Sequence, residues 1–79
     1  MLTTERLVHP GGYHTPWHSH HAGQLWRIAA GLLVIETPLG RSVVPAKHIG
    51  WIPPGQQHAA FSESAIEGCA VYLDRKSVV

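Results

Sequence analysis

Apolar residues in this chain come in short groups, each closed by glycine, proline or a polar cluster. No window keeps apolar positions at helical spacing over three turns without meeting a Gly or Pro, so the groups read as strands between turns. TERLVHP (4–10) is a first strand and PGGYHTP (10–16) a loop. QLWRIAAG (24–31) is a strand, and LLVIET (32–37) continues or follows it. Pro38 and Gly40 in TPLGRS mark a hairpin turn, with RSVVPA (41–46) as the return strand. HIGWIPPG (48–55) is a short strand ending in a rigid bend, and HAAFS (58–62) and IEGCAVYLD (66–74) are the last two. The pattern predicts an all-β domain. LLVIE is apolar at nearly every position, which predicts burial on both faces. In so small a chain the second cover is a partner subunit or loops, and a homodimer is expected.

Length sharpens that expectation. The 79 residues make one domain, spanning 1–79. A chain of this size buries only about 60–65% of its unfolded surface, so its core is thin and a staple is useful. Cys69 is the sole cysteine, which excludes an internal disulfide and reads as a small buried hydrophobe in a reducing, cytoplasmic setting. A metal or a second subunit remains available as the staple.

Composition removes several function classes. Hydrophobic residues are 44% and charged residues 14% of the chain, too apolar for disorder and low in charge for a monomer surface. Net charge is +1 without a basic cluster, so direct nucleic-acid binding by this chain is not expected. No apolar run approaches the ~20 residues a membrane helix needs. MLTTERLVHP lacks the basic start and apolar stretch of a signal peptide.

Seven histidines is an excess for this length. His18, His20 and Gln24 share parity, so in an extended segment beginning by residue 18 they would face one side, with His21 turned away. His58 follows PPGQQ and could be brought opposite His20 by a strand pair or a closed barrel. Neutral imidazoles suit Zn, Cu, Fe and Ni, and three imidazoles with an open position are a known plan for a metal site. HSHH also fits a pocket wall that hydrogen-bonds an organic molecule, or a solvated turn. His9, His14 and His48 read as surface or turn residues.

WIPPGQQH (51–58) is the second informative stretch. Pro53 and Pro54 fix two φ angles and Gly55 permits a tight turn, which would aim His58. Trp51 and Trp26 read first as core residues. Trp26 shares the parity of His20 and Gln24 and could form the apolar floor of their pocket. Trp17 lies in the entrance loop, as a lid or an end cover.

Together the two stretches resemble the cupin superfamily. Its first motif is matched in spacing by Gly12, His18, His20, Gln24 and Gly31, with Gln24 where the pattern has Glu. The later half of its second motif is matched by Pro53, Gly55 and His58, with Lys47 at the first Gly position and Ser62 at the Asn position. The resemblance implies a small antiparallel β-barrel of jelly-roll type, often dimeric. It implies metal ligands at His18, His20 and His58, with Gln24 in the Glu place, for one divalent transition metal (Zn, Ni, Fe or Cu). The neutral amide argues against a hard-metal oxygenase or isomerase. Within the superfamily, GQL (23–25), residues 39–58 and VYLD (71–74) look like the N-terminal effector-binding and dimerisation domain of AraC-type transcription regulators, without the helix-turn-helix part.

That likeness implies a sensing module in which a small organic effector lies against His18, His20, Gln24, Trp26 and His58. A small metal-dependent enzyme is the alternative, weakened because none of Glu36, Glu63 and Glu67 can be placed in the pocket from sequence. A third reading is a dimer-forming barrel whose site has decayed.

Overall fold

The computed structural model describes residues 2–73, so Asp74, expected to close the last strand, and the tail after it lie outside the described residues. The strands run β1 (Leu2–His9), β2 (Tyr13–His14), β3 (Gly23–Ala30), β4 (Leu32–Thr37), β5 (Gly40–Pro45), β6 (Ile49–Ile52), β7 (Ala59–Ser62) and β8 (Ile66–Leu73). They form two four-stranded antiparallel sheets, ordered β1-β8-β3-β6 and β2-β7-β4-β5. This is the all-β arrangement that the pattern of short apolar groups predicts, in the antiparallel jelly-roll form that the resemblance implies. No helix among the described residues is long and apolar enough to cross a membrane.

Alternation builds the core. Leu7, Trp26, Ile28, Ile52, Ile66 and Ala70 point inward from the first sheet, and Leu33, Ile35, Val44 and Ala60 meet them from the second. Each buried large apolar side chain contributes about 1.5–3 kcal/mol. The chain passes from β3 in one sheet to β4 in the other at Gly31, whose φ is +86°. A Cβ there would strike the backbone of Ala65 and Ile66, so the crossing needs glycine for both conformation and space. The expected hairpin at Pro38–Leu39 is present, with Thr37 paired to Gly40.

Three expectations are corrected, and a fourth, the two-sided burial of LLVIE, is met within the chain on one face. Tyr13 and His14, read as loop, form β2 by pairing with Phe61 and Ser62, a match made across distant segments with no local signal. LLVIE is covered by its own chain on one face only: Leu33 and Ile35 are buried. Leu32 and Val34 look outward and, with Val43 and Phe61, line a groove of about 460 Å³. Trp51 is 50% exposed rather than a core residue. Ile52 takes the inward position on β6, so Trp51 falls on the outer face, where its ring lies over Gly23 and fills the space a side chain would occupy. Cys69 is only partly buried, because inward Ala70 sets it on the outer face of β8 beside Arg6 and Arg27.

Candidate metal centre

The histidines meet, though not by strand parity. β3 begins at Gly23, so residues 18–22 do not form the extended segment that would align His18, His20 and Gln24. Instead His18 forms an isolated antiparallel bridge with His58. The His18 N–H donates to the His58 carbonyl and the His58 N–H to the His18 carbonyl, both at 2.9 Å. The PPG bend completes the link. The Gln56 N–H donates to the Pro53 carbonyl at 3.2 Å, closing a turn with Pro54 and Gly55 at its centre. Gly55 has a φ of +77°, the value that the third position of a type II turn requires. Its N–H donates to the His20 carbonyl at 2.9 Å, so the turn of the second motif grips the loop of the first.

The ligating nitrogens of His18, His20 and His58 lie within 4.8 Å of one another. Ring centroids are 4.3 Å apart for His18 and His58, and 5.1 Å for His20 and His58. His21 is exposed and outside this cluster. Each ring presents Nδ1 to a backbone carbonyl: His18 to Pro16 at 2.7 Å, His20 to Ala22 at 2.9 Å and His58 to Gln56 at 2.8 Å. A carbonyl only accepts, so in the neutral ring Nδ1 carries the hydrogen and Nε2 keeps a bare lone pair. Backbone partners of this kind fix tautomer and ring orientation at metal sites. The His58 ring is 1% exposed and its Nε2 has no hydrogen-bond partner. Burial holds the His58 pKa below the usual imidazole value; the bond to Gln56 opposes this, and the neighbouring His18 and His20 rings add to it. A buried bare nitrogen held neutral is the state a metal ligand requires, and the three residues fit a transition-metal ion.

Gln24 joins them. It is 2% exposed on β3, with Oε1 3.2 Å from His20 Nε2 and its amide N–H donating to the Tyr72 hydroxyl at 3.1 Å. Trp26 follows on the same inward face, packed in the core with its indole N–H buried and unpartnered. Trp17 is half exposed in the entrance loop.

The histidine reading missed Tyr72. Its ring lies 5.3 Å from that of His20, edge on, and burial, with Glu5 nearby, pushes its hydroxyl pKa up, so it stays a neutral phenol. The available signal was parity: Tyr72 falls two positions after inward Ala70. Among the described residues no carboxylate joins the imidazoles. Glu36 pairs with Arg41 at 3.2 Å on the β4–β5 hairpin, Glu67 faces Arg6 at 3.7 Å, and Glu63 is exposed.

Two antiparallel four-stranded sheets with this topology define a cupin-type jelly roll, and comparison with solved structures agrees. The chain is similar to a cupin-like protein from Thermotoga maritima at 17% identity and a TM-score of 0.84, over 99% of this chain and 61% of that one. It is similar to a cupin-2 domain containing protein from Shewanella frigidimarina at 17% identity and a TM-score of 0.79, over 89% and 68%. A Cupin 2 conserved barrel domain protein from Salinispora arenicola is 21% identical with a TM-score of 0.74, over 98% and 79%. At these identities the likeness is one of fold. No protein-family model matches the sequence, and no curated protein matches it.

Proposed function

We propose that this domain is a small metal-centred cupin that binds one divalent transition metal and, beside it, a small polar organic molecule. The observation that carries the reading is the buried His58 Nε2, bare and grouped with two further imidazoles whose Nδ1 hydrogens are already committed. His18, His20 and His58 would hold the metal, with Gln24 as a fourth, neutral donor. That set retains the full charge of the cation and favours Zn, Ni, Fe or Cu over hard ions. When bound, the metal supplies Lewis acidity toward an oxygen of the organic molecule. The chain supplies orientation: the neutral Tyr72 phenol offers a hydrogen bond, and Trp26 offers an apolar wall on the same face of β3 as Gln24.

The regulator-like sensing role is the finer form of this reading. It would use the same site for an effector and rests on GQL, residues 39–58 and 71–74, whereas the fold likenesses are to cupins. A homodimer goes with the outward apolar groove of β4 and β5. Elemental analysis of protein purified without chelator tests the metal. About one equivalent per chain is expected for a site of this type. Less than about a tenth of an equivalent for each of the four metals, after supplying them, overturns the proposal.

A further inference from the structure

His20 Nε2 and Gln24 Oε1 face each other at 3.2 Å. With the His20 hydrogen on Nδ1, toward the Ala22 carbonyl, both of these atoms are acceptors. Three arrangements relieve the conflict: a cation bound by both, a proton on Nε2, or an amide turned over so that its NH2 donates to His20. The hydroxyl of Tyr72 stands at the other end of the same amide, 3.1 Å from the Gln24 nitrogen. A phenol both donates and accepts, so it can serve either orientation of the amide.

We infer that Tyr72 is a positioning residue that lets Gln24 turn its oxygen toward the imidazoles, and that this makes the amide a metal ligand. The inference rests on the metal reading above. With the oxygen inward, the amide NH2 points to Tyr72 and is buried, since Gln24 is 2% exposed. Without the hydroxyl that donor has no partner. With the amide reversed, the NH2 keeps His20 and only a carbonyl is left short. Buried unpaired N–H groups are tolerated far less than under-satisfied carbonyls. Loss of the hydroxyl therefore acts against the oxygen-inward orientation, the one that serves a metal.

Zn²⁺ and Co²⁺ titrations of wild type, Tyr72→Phe, Gln24→Ala, the double variant and His58→Ala test this. Thermal melts in chelator show that each variant is folded. Removing a partner that orients a metal ligand typically lowers affinity about 10–100-fold, so Tyr72→Phe is expected to weaken Zn²⁺ binding at least about tenfold. The same change in the Gln24→Ala background is expected to have no effect, and the Co²⁺ visible spectrum of Tyr72→Phe should match that of Gln24→Ala. A structural role would lower affinity equally in both backgrounds and leave the spectrum unmoved. In Gln24→Glu, a carboxylate has no NH2 to strand, so Tyr72→Phe should lower affinity less than about threefold. Wild-type affinity and spectrum in Tyr72→Phe overturn the inference while leaving the metal site standing. If wild type and His58→Ala both fail to bind Zn²⁺, the metal reading itself falls, and this inference with it.

Discussion

Replacing His58 with leucine should stabilise the metal-free protein and destabilise the metal-loaded one. The ring is 1% exposed, with Nε2 unpartnered and Nδ1 bonded to the Gln56 carbonyl at 2.8 Å. An unmet buried polar atom costs about 1–3 kcal/mol, and an ordinary hydrogen bond contributes about 0.5–1.5 kcal/mol. His58→Leu removes both. Gln56 is partly exposed, so water takes over its carbonyl. The balance is a gain of about 1 kcal/mol in chelator, or roughly 4–8 °C in Tm for a domain of this size. Leucine is preferred to alanine, which would add a cavity penalty of its own. With zinc at a thousandfold excess over Kd, the wild type gains about 4.1 kcal/mol from binding, most of which the variant forgoes. The two melting curves should therefore exchange order between chelator and zinc. Acid adds a second signature. Burial depresses the folded-state pKa of His58, so below about pH 6.5 the unfolded chain takes up a proton that the folded chain refuses. Stability of the metal-free wild type falls with pH through that window, and the variant lacks this component. Urea melts with and without zinc at several pH values provide the readout. A His58→Leu protein equally destabilised in chelator and in zinc would mean that the ring is a core residue and no ligand.

Three further outcomes are expected. Lys47 has a φ of +68°, a conformation that costs an L-residue about 1–2 kcal/mol, against about 0.5–1 kcal/mol for the extra freedom glycine loses. Lys47→Gly should raise stability by about 0.5–1 kcal/mol, seen as a higher urea midpoint at unchanged slope. Gly31→Ala should lose at least about 2 kcal/mol in the same assay, because its φ of +86° is unfavourable and the new Cβ meets the Ala65 carbonyl. Sedimentation at micromolar protein should give twice the chain mass, and Val43→Asp, in the outward groove beside Leu32 and Val34, should shift it to monomer; a monomeric wild type refutes the dimer.

The elements that local pattern determines were legible in advance. Strand after strand falls within two or three residues of its expected place, because antiparallel sheets with one buried face write their alternation into the chain. The Lys47 position is instructive: the cupin motif has glycine there, and the backbone adopts a conformation suited to glycine although the side chain is lysine. What sequence could not supply was pairing across the molecule. β2 exists only because residues 13 and 14 meet 61 and 62. The meeting of His18, His20 and His58 was anticipated, but its cause was not: backbone bonds between His18 and His58, together with the grip of Gly55 on His20, replace the extended strand that parity invoked. Trp51 misled because size suggested burial, whereas edge position and the glycine beneath its ring, Gly23, decided its place. Tyr72 escaped notice because its role depends on one hydrogen bond to an amide 48 positions away.

The paired main-chain hydrogen bonds between residues 18 and 58 tie together two points forty positions apart. In small zinc-dependent modules the metal itself gathers its ligands, so chelation unfolds them. Here main-chain hydrogen bonds join the segments that carry the three imidazoles. With the proposed metal bound, its removal should leave the jelly roll standing, so that reloading would need no refolding step. Occupancy in a cell would then follow the surrounding supply of exchangeable metal rather than the history of the chain's synthesis.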